Sequence, residues 1–181
     1  MSEHTGLHLS KAELEAGLPA LALSPQDPGT IVMIVVRPSE DARLTPASVE
    51  ISAELGVHGD HWSVGKYRDY RDTQIAIINS RLLDLVSGGR ERWALAGDNI
   101  VADLDLSRVN LVPGQKLEMG TAVVEITDTP HTGCNKFAGR FGADALRFVN
   151  VGPGKEMRLR GIYARVLQDG AISVGDRISK L

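Results

Sequence analysis

The sequence predicts a mostly β protein with a few short helices, an α+β fold whose strands form a closed or nearly closed β-barrel. Two observations predict this fold. Short apolar runs rich in β-branched residues recur along the chain, and glycine turns such as Pro113-Gly114 and Asp169-Gly170 separate those of the second half. Many short strands at close spacing are typical of barrels, because closure removes exposed sheet edges. The 181 residues suffice for one compact domain with a sizeable core.

The N-terminal part is predicted to be a helical arm and connector, residues 1–29, before a barrel domain of residues 30–181. Ser10 is a suitable helix N-cap, and Glu13 three positions later completes a capping box. We therefore expect a short helix over Ser10–Leu18.

The first half of the barrel domain contains two predicted buried strands. Thr30–Arg37 and Thr73–Ile78 are continuous runs dominated by apolar, β-branched side chains, which suit strands covered on both faces. A helix over Ser80–Val86 follows the second strand, and Asn79 or Ser80 itself supplies its cap.

The second half is predicted to contain shorter strands and two short helices. The strands are Asn99–Val101, Lys116–Met119, Ala122–Thr127, Ile162–Leu167 and Arg177–Ser179. The helices are Asn135–Phe141 and Ala143–Val149. Phe137 and Phe141 lie four positions apart, so we expect them to share the helix face that packs on the barrel.

Composition excludes several classes of protein. The formal net charge of −3 argues against a strongly basic nucleic-acid-binding protein. No apolar stretch approaches the roughly 20 residues of a membrane span, and the N-terminus lacks a secretory signal pattern. The single cysteine excludes an intrachain disulfide and fits a reducing compartment. We expect a cytoplasmic globular protein that binds neither nucleic acid nor membrane.

Cys134 is the strongest candidate for chemistry. It follows a predicted strand and precedes a predicted helix, where unpaired amide donors favour a thiolate over a thiol. It is a candidate nucleophile, sulfur acceptor or metal ligand. The alternative is a small buried core residue. His131 is either a base toward this thiol, a second metal ligand, or a loop residue with a local hydrogen bond.

A zinc site is a further alternative. His58 and His61 form one H-x-x-H pair, and His131 and Cys134 form an H-x-x-C pair, which together offer four ligands for tetrahedral zinc. The competing interpretation is that these histidines are solvated loop residues.

Cationic side chains near the predicted helices suggest an anion site. They are Arg71, Lys136, Arg140, Arg147, Lys155, Arg158 and Arg160. Guanidinium groups suit phosphate oxygens, and the favoured candidates are Arg140 with either Arg160 or Arg71. The alternative is a solvated charged face. Asn99, which follows Gly97-Asp98, either holds a turn or donates its amide to a ligand.

Several of these stretches, in this order, resemble the MOSC domain, the module found at the C-terminus of molybdenum cofactor sulfurases and as standalone bacterial proteins. The similar stretches are Gly56-Val-His-Gly-Asp60, Gln74, Gly97-Asp-Asn-Ile100, Pro113–Gly120, Cys134 with Lys136, Arg160–Val166, Gly170 and Gly175-Asp176. They cover the chain from about residue 30 to its end. The chain differs from the family at two of these positions. Asp98 stands where the family usually has glutamate, and Gly133 stands where it often has a proline before the cysteine.

The resemblance implies a MOSC-like β-barrel that binds the molybdenum cofactor, a molybdopterin. By matching positions, Cys134 is implied as the sulfur carrier or molybdenum ligand, with Asn99 and Arg160 supporting it. Lys136, Arg140, Arg160 and Arg71 are the cations expected to contact the anionic cofactor. Pyridoxal phosphate is not expected, because the domain that binds it in the fused sulfurases does not fit in this chain.

Three functional hypotheses follow. The first is cofactor binding or sulfur transfer through Cys134, with a sulfurase as partner protein. The second is a molybdenum-dependent reductase of N-hydroxylated small molecules, which needs a redox partner because the chain has no flavin or iron–sulfur signature. The third is a non-catalytic binding module, with or without zinc.

Overall fold

A closed seven-stranded β-barrel lies at the centre of this computed structural model, which describes residues 8–181. Its strands, together with those of a separate small sheet, are numbered in chain order as β1 Gly29–Ile34, β2 Ser48–Ser52, β3 Gly56–Val57, β4 Ile75–Asn79, β5 Ile100–Asp103, β6 Lys116–Met119, β7 Ala122–Ile126, β8 Ile162–Gln168, β9 Gly170–Ser173 and β10 Arg177–Lys180. The predicted barrel of an α+β fold is therefore confirmed.

The barrel closes in the order β1, β10, β6, β7, β8, β4 and β5, with β5 pairing back to β1. Its neighbours are antiparallel except β4 and β5, which run parallel with Ile77 opposite Ile100. A parallel pair needs a crossover, and the helix that follows β4 provides it. The remaining strands form a three-stranded sheet in the order β3, β2, β9.

Short helices cover one side of the barrel. They are α1 Lys11–Ala16, α2 Leu18–Ala22, α3 Ser80–Ser87, α4 Asn135–Phe141, α5 Ala143–Asn150 and α6 Gly152–Glu156. Three 3-10 helices lie at His61–Val64, Arg71–Thr73 and Arg90–Ala96. Within residues 8–181, no helix is long and apolar enough to span a membrane.

Two hydrophobic cores result from strands that are buried on both faces. In β4, Ile77 belongs to the core inside the barrel, whereas its neighbour Ile78 belongs to the core between barrel and helices. Successive strand residues point to opposite faces, so both faces of such a strand must be apolar. Phe137 and Phe141 of α4 pack in the outer core, as the spacing predicts.

The N-terminal helices pack on this chain's own helical layer. Ser10 and Glu13 form the predicted capping box, and Leu14 is fully buried in the outer core. The backbone N–H of Lys11 donates to Asp144 of α5 at 3.2 Å. Residues 1–7 of the predicted arm lie outside the described residues.

Two expectations needed correction. The helical pattern continues past Gly17 as α2, because Pro19 occupies the first helical turn, where its missing N–H has no cost. Asp169-Gly170 is more than a turn, since Gly170 begins β9.

The cap of α3 is Asn79, whose side chain accepts a hydrogen bond from the backbone N–H of Arg81.

Candidate functional site

Cys134 is exposed and is the N-cap residue of α4. Cys134 makes no side-chain capping hydrogen bond in α4, but the nearby backbone N–H of Phe137 favours the thiolate and lowers the pKa of the thiol. Partial burial opposes this effect, while the N–H of Lys136 and the charges of Arg160 and Arg140 add to it. The sulfur is therefore accessible and biased toward the thiolate, so the buried-core alternative is wrong.

The loop before Cys134 is fixed by α5. Asn150 accepts a 2.8 Å hydrogen bond from the N–H of Gly133 and donates to its carbonyl at 3.1 Å. A Cβ at position 133 would lie 2.6 Å from Cδ1 of Leu146. The glycine that replaces the expected proline thus supplies both an N–H and the space that this loop uses.

A buried ionic group lies behind the loop. Nη1 of Arg160 donates to both carboxylate oxygens of Asp98, at 3.0 and 2.8 Å. Burial raises the pKa of Asp98, and Arg160 opposes that rise. The Arg160 guanidinium also lies over the ring of Phe137, 5.1 Å from its centroid, so the pair is connected to the first turn of α4.

His131 belongs to this buried group. Its Nδ1 is 3.5 Å from Asp98, and its ring stacks on Tyr163 with centroids 4.2 Å apart. Burial, and then the charges of Arg160 and Arg37, hold the pKa of His131 well below its ordinary value. The imidazole is therefore neutral at neutral pH, and within residues 8–181 it makes no hydrogen bond to Cys134.

Gly161 allows the group to pack this closely. Its φ of +110° lies in the region that favours glycine. A Cβ there would be 2.4 Å from the carbonyl oxygen of Ile77 and 3.3 Å from Asp98. The resemblance singled out this position beside Arg160, and its steric role is now apparent.

Asn99 is fully buried and organises the strand ends beside the site. Its Nδ2 donates to Asp60 at 3.0 Å, and its Oδ1 accepts from the N–H of Ala76 at 3.1 Å. Arg37 binds the same Asp60 through Nε at 2.8 Å and Nη2 at 2.9 Å. Burial raises the pKa of Asp60, but Arg37 and the backbone donors outweigh it and keep the pKa lowered.

A second arginine group lies at the Gly97 turn. Arg43 Nη2 and Arg140 Nη1 lie 3.6 and 4.0 Å from the point where a Cβ of Gly97 would be. Burial, then the positive charges of Arg140 and Arg37, lower the pKa of Arg43. Its Nε is buried and has no hydrogen-bond partner among the described residues. The positive charge here is therefore incompletely balanced.

Two predicted cations have other partners. Lys136, two residues after Cys134, forms an ion pair with exposed Glu40 and thereby lowers the pKa of that carboxylate. Arg71 donates to the carbonyl of Ala53 at 2.9 Å. In the described part of the chain, no hydrogen bond or ion pair connects Arg71 with the Cys134 loop, and its role in binding stays a prediction.

Arg37, Arg43 and Asp60 were missed as individual site residues. Asp60 is the last residue of the Gly56–Asp60 stretch, on which the family resemblance partly rests. That stretch was the only sequence feature that indicated a role for Asp60. Arg37 was counted as the end of a strand, and Arg43 lies in a segment without any pattern.

The described residues do not form the four-ligand zinc site that was one alternative for His58, His61, His131 and Cys134. Nε2 of His58 is bonded to Ser52 and Nδ1 of His61 to the carbonyl of Arg37, while His131 is buried and Cys134 exposed. Across residues 8–181, no group of three or more His, Cys, Asp or Glu side chains is arranged to hold a metal ion. A short spacing in sequence did not bring the two pairs together.

Solved structures show the same fold. YiiM from Geobacillus stearothermophilus superposes with a TM-score of 0.61 at 20% identity, covering 84% of this chain and 75% of that one. The YuaD protein from Bacillus subtilis gives 0.58 at 16% identity, covering 83% and 94%. YiiM from Escherichia coli gives 0.54 at 16% identity, covering 84% and 69%. At these identities the likeness establishes the fold alone.

No curated protein matches the chain in sequence. The family model of the MOSC domain matches residues 66–179, which is more than half of the chain. The match includes the Gly97–Ile100 turn, the Cys134 loop and the Arg160-Gly161 pair, and it begins after the Gly56–Asp60 stretch. This chain belongs to the MOSC domain family.

Proposed function

We propose that this protein binds the molybdenum cofactor, with Cys134 as a thiolate ligand of the metal or as a carrier of sulfur. The observation that carries the proposal is the exposed Cys134 sulfur, whose pKa is lowered at the start of α4. The family is associated with this cofactor.

The side chains present fit such a group. A soft thiolate is a suitable molybdenum ligand, and a single protein thiolate suits a metal that brings its other ligands with it. Arg43 and Arg140 form no ion pair with a carboxylate among the described residues, so their positive charge suits the anionic end of the cofactor. The bound cofactor would supply redox chemistry at the metal.

Each residue of the site has a defined part in the proposal. Cys134 binds the metal or carries the sulfur, and Arg43 and Arg140 balance the negative charge of the cofactor. The positive charge of Arg160 favours the Cys134 thiolate, and Asp98 holds the Arg160 side chain in place. Asn99 acts as a positioning residue through Asp60 and the Gly97 turn. Lys136 adds positive charge at the rim, where Glu40 already neutralises part of it.

The sulfur-carrier form requires a persulfide donor as co-reactant. The Cys134 thiolate would attack the outer sulfur of the donor persulfide, the donor's S–S bond would break, and the donor would leave as a thiolate. Cys134 would then hold the transferred sulfur, with no net oxidation or reduction.

The test is elemental and pterin analysis of protein purified from a host that makes the cofactor. We expect molybdenum and pterin to copurify with the wild type in equal amounts, and both to be lost or strongly reduced in Cys134→Ser. The double variant Arg43→Gln/Arg140→Gln should lose most of the pterin. The control Arg177→Gln, which changes an exposed side chain at the start of β10, should retain it. Absence of metal, pterin and donor-derived persulfide from the wild type would contradict the proposal.

The reductase hypothesis stays a prediction. Cofactor-loaded protein should be assayed for reduction of N-hydroxylated compounds with an artificial electron donor. Turnover that disappears in Cys134→Ser would favour it, and loaded wild type without turnover would leave cofactor binding or sulfur transfer as the function.

A further inference from the structure

A cavity of about 80 Å³ lies behind the loop that leads to Cys134. Its walls come from the 127–132 segment, the end of α5, and the turn that precedes β8. Cys134 is not among its lining residues in the described chain. The cavity is thus a second concave feature, separated from the exposed thiol by the loop itself.

The wall of this cavity is strongly cationic. Arg108, Lys155, Arg158 and Arg160 line it, and Asp128 is its one carboxylate among the described lining residues. Asp128 is mostly exposed and reaches Arg108 only at 4.0 Å. Exposed pairs of that length contribute little, and the buried Asp98 pairs with Arg160. Lys155 and Arg158 therefore carry positive charge without an ion-pair partner among the described residues.

Two arginines are held in place by the backbone. Arg158 has a φ of +49°, which is unusual for a residue other than glycine, and its Nη1 donates to the carbonyl of Leu111 at 2.7 Å. The N–H of Gly161 donates to the carbonyl of Arg158 at 2.8 Å, which closes a tight turn. This turn brings Arg158 and Arg160 into the same wall.

One wall residue has an unused buried donor. Arg160 is 8% exposed, and its two terminal nitrogens bind Asp98 and the carbonyl of Ala96. Its Nε has no hydrogen-bond partner within residues 8–181. This nitrogen is itself inaccessible to solvent, so Arg160 contributes positive charge to the wall rather than a free donor. Thr132 and Asn150 add neutral polar groups to the same wall.

We propose that this cavity binds a tetrahedral oxyanion, namely a phosphate or sulfate group. Its volume is several times the roughly 10–15 Å³ that one water molecule needs on the same measure, so a tetrahedral oxyanion fits inside it. Guanidinium groups bind tetrahedral oxyanions through several N–H donors at once. The site does not depend on the proposed role of Cys134, because its walls are complete without that residue.

The direct test is a titration of the purified protein with inorganic phosphate in which isothermal titration calorimetry measures the heat of binding. A parallel arm uses phenyl phosphate, which distinguishes a free ion from the phosphate end of an ester. Binding of inorganic phosphate alone assigns the site to the free ion, and binding of both assigns it to the phosphate group in either form. Wild type that binds neither overturns the proposal.

Variants locate the site. Arg108→Gln/Lys155→Gln changes two exposed side chains and should preserve the fold, yet weaken phosphate binding by roughly tenfold or more, since charged hydrogen bonds are lost. Arg158→Gln should act in the same direction. Arg147→Gln removes an exposed charge from α5 outside the cavity and should leave the affinity unchanged.

Cys134→Ser separates this site from the thiol site. We expect it to bind phosphate as the wild type does, even though it should lose molybdenum. Loss of phosphate binding in Cys134→Ser, or equal weakening by Arg147→Gln, would show that the anion binds elsewhere and would overturn the assignment.

Discussion

Arg160 and Asp98 form a buried ion pair in which one guanidinium nitrogen bonds both carboxylate oxygens, at 2.8 and 3.0 Å. Arg160 precedes β8, and Asp98 lies in the turn before β5, so the pair joins segments 62 residues apart. Through the ring of Phe137 it also contacts α4, whose N-cap residue is Cys134. The pair thus connects the barrel with the Cys134 loop.

Breaking this pair should be strongly destabilising. Asp98→Leu leaves the Arg160 charge buried without its partner, so we expect the free energy of unfolding to fall by about 3–5 kcal/mol in urea denaturation. The double variant Asp98→Leu/Arg160→Met should recover much of the loss. Asp144→Asn, at an exposed pair with Arg147, should cost about 1 kcal/mol or less. Equal small losses at both pairs would show that the buried pair is not structural.

His131 should make the fold sensitive to mild acid. Its folded-state pKa is lowered, so below about pH 6.5 the unfolded chain takes up a proton that the folded protein does not. The wild type should therefore lose up to about 1.4 kcal/mol of stability per pH unit from this residue as the pH falls below that value. Urea denaturation between pH 7 and 5.5 should show a smaller slope for His131→Phe, which retains a ring to stack on Tyr163. Identical slopes would mean that His131 is protonated equally in both states.

Asn99→Ala should cost about 2–4 kcal/mol, because it removes bonds to Asp60 and Ala76 and leaves buried polar groups without partners. The exposed Asn135→Ala is a matched control, with an expected change within about 0.5 kcal/mol. Thermal or urea denaturation measures both. A loss of cofactor without a loss of stability in Asn99→Ala would instead assign this residue a direct binding role.

Gly133→Pro should destabilise the loop by about 1–3 kcal/mol, since it removes the N–H that bonds Asn150 and adds atoms close to Leu146. Gly139→Ala in α4 is the opposite case. A Cβ there meets no atom within 4 Å, so the substitution should stabilise the helix by about 0.5–1 kcal/mol. Differential scanning calorimetry would resolve the two signs, and a neutral Gly133→Pro would contradict this account of the loop.

Local patterns predicted the elements that depend on local chemistry. The capping box at Ser10 follows from short-range hydrogen bonds and was predicted, and Asn79 was one of two caps expected for α3. The start of α4 at Asn135 was also predicted, although no side-chain hydrogen bond from Cys134 caps it. The strands β2, β3 and β9 were not, because they are short and form a sheet only through pairing over long sequence separation.

The candidate site was predictable only in part for the same reason. The resemblance located Cys134 and Arg160, but the balance of charge around Gly97 depends on where Arg43 lies in space. The zinc hypothesis was wrong because the sequence showed two suitable spacings and could not show that the barrel keeps His58 and His131 in different surroundings.

The most direct test of the account is the titration of Cys134 itself. As the single cysteine, it gives the only thiolate signal, which can be followed by ultraviolet absorbance or by the rate of alkylation with iodoacetamide against pH. The account predicts a midpoint below the ordinary value of about 8.5 in the folded protein and a return to that value in denaturant. A folded-state midpoint at or above 8.5, or a thiol that reacts only after unfolding, would contradict it.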